Sequence, residues 1–159
     1  MIDDPAVSEW QKWRYSMHVF ASLADLWLAR SDPDKARTFT DRCLEVATRT
    51  MSRKYLARGW RLRGEIAFVS RAWDESEAAL REALAIAELV GNPTQLWKTH
   101  AALGRLYATL RRPEASSKAY RSAANVVDRI KASIDDRALA ETLANAPPVR
   151  DLYQRAGPE

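Results

Sequence analysis

Cysteine and histidine are scarce in this chain of 159 residues. The single cysteine, Cys43, excludes a framework of internal disulfides. The only two histidines, His18 and His100, are far apart, and neither has an acidic residue and a second histidine at metal-ligand spacing. Phosphate-binding loops of the Gly-x-x-x-x-Gly-Lys or Gly-x-Gly-x-x-Gly kind are also missing. We therefore expect no catalytic residues, no metal and no cofactor, and we predict that the protein is not an enzyme.

Long apolar runs and long basic runs are absent as well. No apolar run approaches the roughly 18 consecutive residues that a membrane-spanning helix needs, so we expect no membrane span. The first residues contain no basic region followed by an apolar stretch, which makes the cytoplasm the expected location. Although the net charge is +4, 25 basic residues are interspersed with 21 acidic ones. Interspersed charge is typical of solvated helix faces, so we expect no nucleic-acid partner.

Glycine and proline are few, at five and seven residues, and they stand at intervals that are typical of turns between helices. The sequence realigns with itself when it is shifted by 40 residues. Small residues recur in three columns, which are Ala24, Gly64 and Gly104; Ala36, Ser76 and Ser116; and Cys43, Ala83 and Ala123. Large apolar residues recur beside them, as in Leu26, Ile66 and Leu106. Small residues let two helix backbones approach closely, so the columns predict a repeat of helical hairpins.

Capping signals mark where the predicted helices begin and end. Asp32 before Pro33, and Asn92 before Pro93, each offer an N-cap residue followed by proline at the first helical position. Gly91 can close the helix before it. Apolar residues follow helical spacing between these marks, and strand alternation is absent. We predict an all-α fold with helices at about 5–30, 33–49, 52–70, 74–90, 93–110, 113–132, 135–145 and 148–156.

The columns resemble the tetratricopeptide repeat (TPR), a helical hairpin with recurring Leu-Gly, aromatic, small and Ala positions. The third repeat supplies Leu103, Gly104, Tyr107, Ser116, Tyr120 and Ala123, and the second supplies Trp60, Gly64, Ser76, Leu80 and Ala83. The period is 40 residues where the family has about 34, which implies longer helices. The resemblance implies a single domain over residues 1–159, a right-handed superhelical solenoid. Its repeats would be at about 13–50, 52–91 and 93–132, with a C-terminal cap of short helices at 135–156.

The resemblance also implies where a partner would bind. In TPR proteins the first helix of each hairpin lines the concave surface. The ligand-facing positions of the family fall here on His18 and Asp25 in the first repeat, on Arg58, Arg61, Glu65 and Phe68 in the second, and on Lys98 and Arg105 in the third. We expect the four basic side chains to be exposed and to favour an acidic peptide or a carboxylate. A solvated helix face without a ligand is the alternative.

Two segments, residues 91–107 and 145–157, are similar to C-terminal helical regions of bacterial multidomain regulators. Those regulators join such repeats to an ATPase, a nucleotide cyclase or a LuxR-type DNA-binding module, none of which we find in this sequence. One hypothesis is a protein-interaction or regulatory scaffold of bacterial signalling that binds a peptide or partner domain in the concave groove. Another is a small-molecule-sensing domain that controls an associated ATPase or DNA-binding partner. A nucleic-acid-binding solenoid is the third alternative.

Trp10 and Trp13 precede the first full repeat, on a predicted helix whose apolar residues surround most of its circumference. A helix that is apolar on all sides needs cover, whereas the terminal helix of a solenoid normally has a polar outer face. We therefore predict self-association through Trp10 and Trp13, with a homodimer formed by the N-terminal helix. A surface that packs against a further upstream repeat is the alternative.

Overall fold

The computed structural model describes the backbone of residues 9–157 and the side chains of residues 13 and 15–157. This part of the chain forms eight α-helices and no strand, which confirms the predicted all-α fold. The helices are α1 (Glu9–Ala29), α2 (Pro33–Arg49), α3 (Arg53–Val69), α4 (Trp73–Val90), α5 (Pro93–Thr109), α6 (Pro113–Ala132), α7 (Arg137–Asn145) and α8 (Pro147–Ala156). Wherever a predicted boundary lies in the described residues, it agrees to within two residues. None of these helices is long and apolar enough to cross a membrane.

The N-caps that the sequence predicts form as expected. The Asp32 side chain accepts a hydrogen bond from the Lys35 N–H at 3.0 Å, where α2 begins. The Asn92 side chain accepts one from the Gln95 N–H at 3.2 Å, where α5 begins. Each bond satisfies one of the N–H groups that a helix start leaves without a backbone partner. The prolines that follow fix the backbone at the first helical position.

The turn inside each hairpin repeats every 40 residues at the level of the backbone. Ser31, Arg71 and Arg111 follow α1, α3 and α5, and all three have a left-handed backbone, with φ of 58°, 59° and 54°. The next residue donates its N–H to the carbonyl five residues back, at 2.9 Å each time: Asp32 to Trp27, Ala72 to Ala67, and Arg112 to Tyr107. This is the Schellman arrangement that closes helix C-termini. The sequence repeat is therefore also a repeat of turn geometry.

The columns of small residues lie where the two helices of a hairpin meet. A Cβ atom added to Gly64 would lie 2.6 Å from Leu80 Cγ, and one added to Gly104 would lie 2.9 Å from the Tyr120 ring. The serine column reinforces the same contact, because Ser76 Oγ donates to the Gly64 carbonyl at 2.8 Å. Ser116 Oγ donates to the Gly104 carbonyl at 2.9 Å. Glycine and serine therefore hold the paired helices close together.

The chain divides into two compact units, with the boundary between Val90 and Gly91. In the first unit α1 packs on α2 and α3 packs on α4, while α3 also contacts α2 and α1. Its core includes Met17, Phe20, Cys43 and Leu62. In the second unit α5 packs on α6, and the two short helices that follow, α7 and α8, also contact α6. Its core includes Tyr120, Val127, Val149 and Leu152.

Candidate functional site

Four of the predicted partner-binding residues form a charged cluster between α1 and α3. Arg58 Nη2 lies 2.6 Å from one oxygen of the Asp25 carboxylate, and Arg61 Nη2 lies 3.4 Å from the other. Arg61 also forms an ion pair with Glu65, one turn along α3. Burial lowers the pKa of the Arg61 guanidinium, but the charges of Glu65 and Asp25 outweigh burial and leave that pKa above its ordinary value. The cluster therefore joins α1 to α3 through a permanently charged Arg61.

The expectation that all four basic residues are exposed is wrong for Arg61, whose exposed fraction is only 4%, and for Arg58, which is half-buried. Sequence spacing placed Arg61 on the face of Arg58, but that face turns towards α1, where Asp25 is. Two carboxylates balance two guanidinium groups in the cluster, so it presents little net charge to a visiting acidic peptide. A partner carboxylate would have to displace Asp25 or Glu65, and binding at these residues stays a prediction.

The remaining predicted groove residues lie in two different units. His18 is exposed on α1, in the first unit. Phe68, at the end of α3, is half-buried and meets the Trp73 ring edge to face with centroids 5.5 Å apart. Lys98 and Arg105 are exposed on α5 of the second unit. That these four line one groove with the charged cluster stays a prediction.

The predicted dimer surface consists of Trp10 and Trp13. The side chain of Trp10 lies outside the described residues. Trp13 is 37% exposed, and the Arg49 guanidinium of α2 lies over its ring, 5.5 Å from the centroid. Trp13 is thus in contact with Arg49 of α2 while more than a third of its surface stays exposed. Self-association through these residues stays a prediction.

Another face of α1 carries the exposed apolar surface. Tyr15, Val19 and Leu26 are 63%, 39% and 45% exposed. Ser22 and Ala29 are exposed between and beyond them. These five residues, which we call the α1 stripe, follow one another at alternating intervals of four and three residues, so they share one side of the helix. The stripe is only partly covered, and Ser22 Oγ accepts a hydrogen bond from the Arg58 side chain of α3 at 3.3 Å.

The equivalent positions of α3, in the second repeat, indicate how a surface such as the α1 stripe can be covered. Positions 40 residues further on are Tyr55, Gly59, Leu62, Ile66 and Val69 of α3, of which the middle three are buried. Leu62 belongs to the core built with α1 and α2, and a Cβ atom added to Gly59 would lie 2.6 Å from Leu44 of α2. In α3 this face therefore receives the second helix of the preceding hairpin. Comparing the two repeats position by position would have found the stripe from the sequence, because Tyr15, Val19 and Leu26 are apolar where α3 is apolar or small.

Cys43 is a core residue, as its place in a column of alanines predicts. Its side chain is fully buried, and its Sγ lies 3.6 Å from the Met17 carbonyl oxygen. Burial raises the pKa of the thiol to about 11, while the Arg58 charge lowers it by a smaller amount. A buried thiol that stays protonated is a poor nucleophile.

Comparison of the sequence with models of known protein families finds no match, and comparison with curated proteins finds no similar sequence. The likeness to the TPR therefore stays a prediction from the 40-residue columns of the sequence.

Proposed function

We propose that this chain is a protein-interaction scaffold of TPR type, which binds a partner protein through an α-helix laid along the α1 stripe. The observation that supports the proposal is the contrast between α1 and α3. Val19 and Leu26 are exposed and apolar in α1, whereas the equivalent residues of α3, Gly59 and Ile66, are buried. A right-handed superhelical stack and a concave groove lined by the predicted residues remain part of the proposal.

The chain itself indicates what the partner helix should look like. The helix that covers the equivalent face of α3 is α2, which presents Leu44 to Gly59. Val19 stands at the position of Gly59 in α1, so a leucine at that place would collide with its branched side chain. We therefore expect an amphipathic partner helix with a small residue, such as alanine, opposite Val19. Apolar anchors spaced by three and four residues are the usual way in which a helix binds a helical surface.

The energy available at the α1 stripe suits a reversible interaction. Full burial of a large apolar side chain stabilises a complex by about 1.5–3 kcal/mol relative to full exposure. Tyr15, Val19 and Leu26 are each partly covered already, so each contributes less than this range. Their sum must also offset the entropy of association. We expect micromolar affinity, which suits a regulatory contact.

The alternative function, a small-molecule-sensing domain, has its own support in the second unit. An open cleft there is lined by arginine, serine and tyrosine side chains. A ligand site in that cleft and a helix-binding surface on α1 are compatible with each other, since they use different residues.

Site-specific photo-crosslinking in the source cells tests the proposal. A photoreactive residue replaces Val19 or Leu26 on the stripe, and replaces the exposed Thr38 of α2 as the matched control. We expect the two stripe positions, and not position 38, to crosslink to one amphipathic helical segment of another protein, mapped by mass spectrometry. Crosslinks to a second copy of this chain alone, or the same products from position 38, would contradict the proposal.

A further inference from the structure

A cleft of about 430 Å³ opens in the second unit between the end of α5, the start of α6 and α8. Its lining consists of Ala108, Arg111, Pro113, Ser116, Ser117, Tyr120 and Arg155. The volume lies within the roughly 300–1,000 Å³ of small-molecule sites. The lining combines an apolar floor with basic and hydroxyl groups, and that mixture is typical of a site for a charged organic molecule.

The cleft coincides with a change in the repeat. At the positions equivalent to Ala108 and Pro113, the second repeat has Phe68 and Trp73, whose rings meet edge to face with centroids 5.5 Å apart. The third repeat therefore lacks two aromatic side chains at this place while it keeps the same turn, with Arg111 equivalent to Arg71. The same helical hairpin thus carries a ring pair in one repeat and an open cleft in the other.

Tyr120 brings a buried hydroxyl to the cleft. The residue is 5% exposed, its hydroxyl oxygen is buried, and no contact to that oxygen has full hydrogen-bond geometry, although the Arg155 guanidinium lies close enough to interact with it. A buried hydroxyl that lacks a well-formed hydrogen bond destabilises the folded state. Packing does not require it, because the equivalent residue of the second repeat is the buried Leu80. Tyrosine on a helix directs its side chain towards the helix N-terminus, which is the Pro113 end of α6 where the cleft lies.

Two guanidinium groups stand at the cleft. Arg155 donates from Nε to Asp151 at 2.8 Å, and its guanidinium carbon lies 6.0 Å from the centre of the Tyr120 ring. Arg111 has no acidic partner among the described residues. Guanidinium groups bind carboxylates through paired, charge-assisted hydrogen bonds. The apolar floor of Ala108, Pro113 and the Tyr120 ring can take a ring or an alkyl chain.

We propose that this cleft binds a small organic acid, with the carboxylate on Arg111 and Arg155 and an apolar body over Ala108, Pro113 and the Tyr120 ring. A small movement of the exposed Arg155 gives the ligand access to the Tyr120 hydroxyl, which donates to it. Inorganic phosphate shares the charge but has no apolar body to use the floor. The site is independent of the α1 stripe, so failure of either proposal leaves the other standing.

Titration of the isotope-labelled full chain, followed by amide chemical shifts, tests the site with four probes. Indole-3-acetate and benzoate each have a negative charge and an aromatic ring. Benzyl alcohol has only the aromatic ring, and inorganic phosphate has only the negative charge. We expect saturable binding of the two carboxylates, with the largest shifts at residues 111–117 and around Arg155. Benzyl alcohol should bind at least about tenfold more weakly, because a charge-assisted contact is worth about one decade in affinity or more. Phosphate should also bind at least about tenfold more weakly, because it has no apolar body to contact the floor of the cleft. Equal binding of all four probes, or no saturable binding of either carboxylate, would overturn the proposal.

Matched variants separate the site from general effects on folding. The double variant Ala108→Phe, Pro113→Trp introduces the ring pair of the second repeat and should abolish binding while the helical spectrum is retained. Tyr120→Phe should weaken indole-3-acetate binding several-fold without lowering the melting temperature. Arg111→Gln should weaken it about tenfold, whereas Arg71→Gln, the equivalent change in the second repeat, should leave it unchanged. If Arg111→Gln and Arg71→Gln have equal effects, the carboxylate does not bind in this cleft.

Discussion

Gly64 of α3 and Leu80 of α4 are in such close contact that a Cβ atom on Gly64 would lie 2.6 Å from Leu80 Cγ and 3.2 Å from the Leu80 backbone nitrogen. Real Cβ atoms essentially never approach a neighbour to 2.6 Å. Gly64→Ala therefore requires α3 and α4 to separate. We expect a loss of about 1–3 kcal/mol in the free energy of unfolding, measured by urea denaturation. An unchanged midpoint would contradict the close contact.

The first repeat indicates how that loss can be relieved. It has Ala24 and Thr40 where the second repeat has Gly64 and Leu80. A shorter residue at position 80 should therefore accommodate Gly64→Ala. In a double-mutant cycle with Leu80→Thr, we expect the two changes to be coupled by about 1 kcal/mol, in the stabilising direction. Strictly additive effects would show that the two positions do not share the contact.

Met51 stands in a left-handed turn between α2 and α3 without being glycine, with φ of 51°. The residue 40 positions on is Gly91, with φ of 66°. The left-handed conformation costs a residue with a Cβ atom about 1–2 kcal/mol, and the Met51 side chain is exposed. We expect Met51→Gly to raise the free energy of unfolding by about 1 kcal/mol. Met51→Ala, which keeps the Cβ atom, is the control and should give no comparable gain.

The helices could be predicted from the sequence because their signals are local. Asp32, Asn92 and the prolines after them act within one helical turn, and helical spacing of apolar residues repeats along each segment. Asp136 is a further example, since its side chain accepts a hydrogen bond from the Leu139 N–H at 3.1 Å at the start of α7. These contacts do not depend on how the helices pack.

Comparison of the first two repeats can find the α1 stripe in the sequence, but the burial of the site residues could not be predicted from local signals, because burial depends on which helix lies opposite. Arg61 carries a charge that indicates solvent, yet Asp25 of α1 and Glu65 enclose it. Tyr15 and Leu26 are apolar and indicate a core, yet they are exposed. The cleft at Tyr120 depends on α8, a short helix outside the repeat. Each of these features comes from tertiary packing.

Arg61→Ala tests the charged cluster. The change removes a buried cation and leaves Asp25 and Glu65 without it, while both carboxylates keep some contact with solvent. Breaking a buried pair from one side costs about 3–5 kcal/mol, and solvent at the carboxylates reduces this, so we expect about 2 kcal/mol.

Arg105→Ala is the matched control, since Arg105 is exposed, and it should change the free energy of unfolding by no more than about 0.5 kcal/mol. Equal melting temperatures for the two variants would contradict the structural role of Arg61. The same comparison shows why replacing all four predicted basic residues together would not test binding alone.

The raised pKa of Cys43 predicts a pH dependence. The thiol has a pKa of about 11 in the folded chain, against an ordinary value of 9.0. The unfolded chain thus releases the proton first, so this stability is fully present below pH 9 and is lost as the pH rises towards 11. Cys43→Ala should have a smaller decline in melting temperature between these pH values. At pH 8 a disulfide reagent should react with the native thiol far more slowly than with the unfolded chain, and equal rates would contradict the burial.

The α1 stripe is the centre of the functional proposal, and an affinity measurement tests it most directly. The helical segment that crosslinks at Val19 and Leu26 is synthesised and titrated calorimetrically into the full chain, into Val19→Glu, Leu26→Glu, and into the control Thr38→Glu. We predict micromolar binding to the parent and to the control. The double variant should bind at least tenfold more weakly at an unchanged melting temperature, because each glutamate places a charge in an apolar contact. Equal affinity for all three proteins would contradict the account.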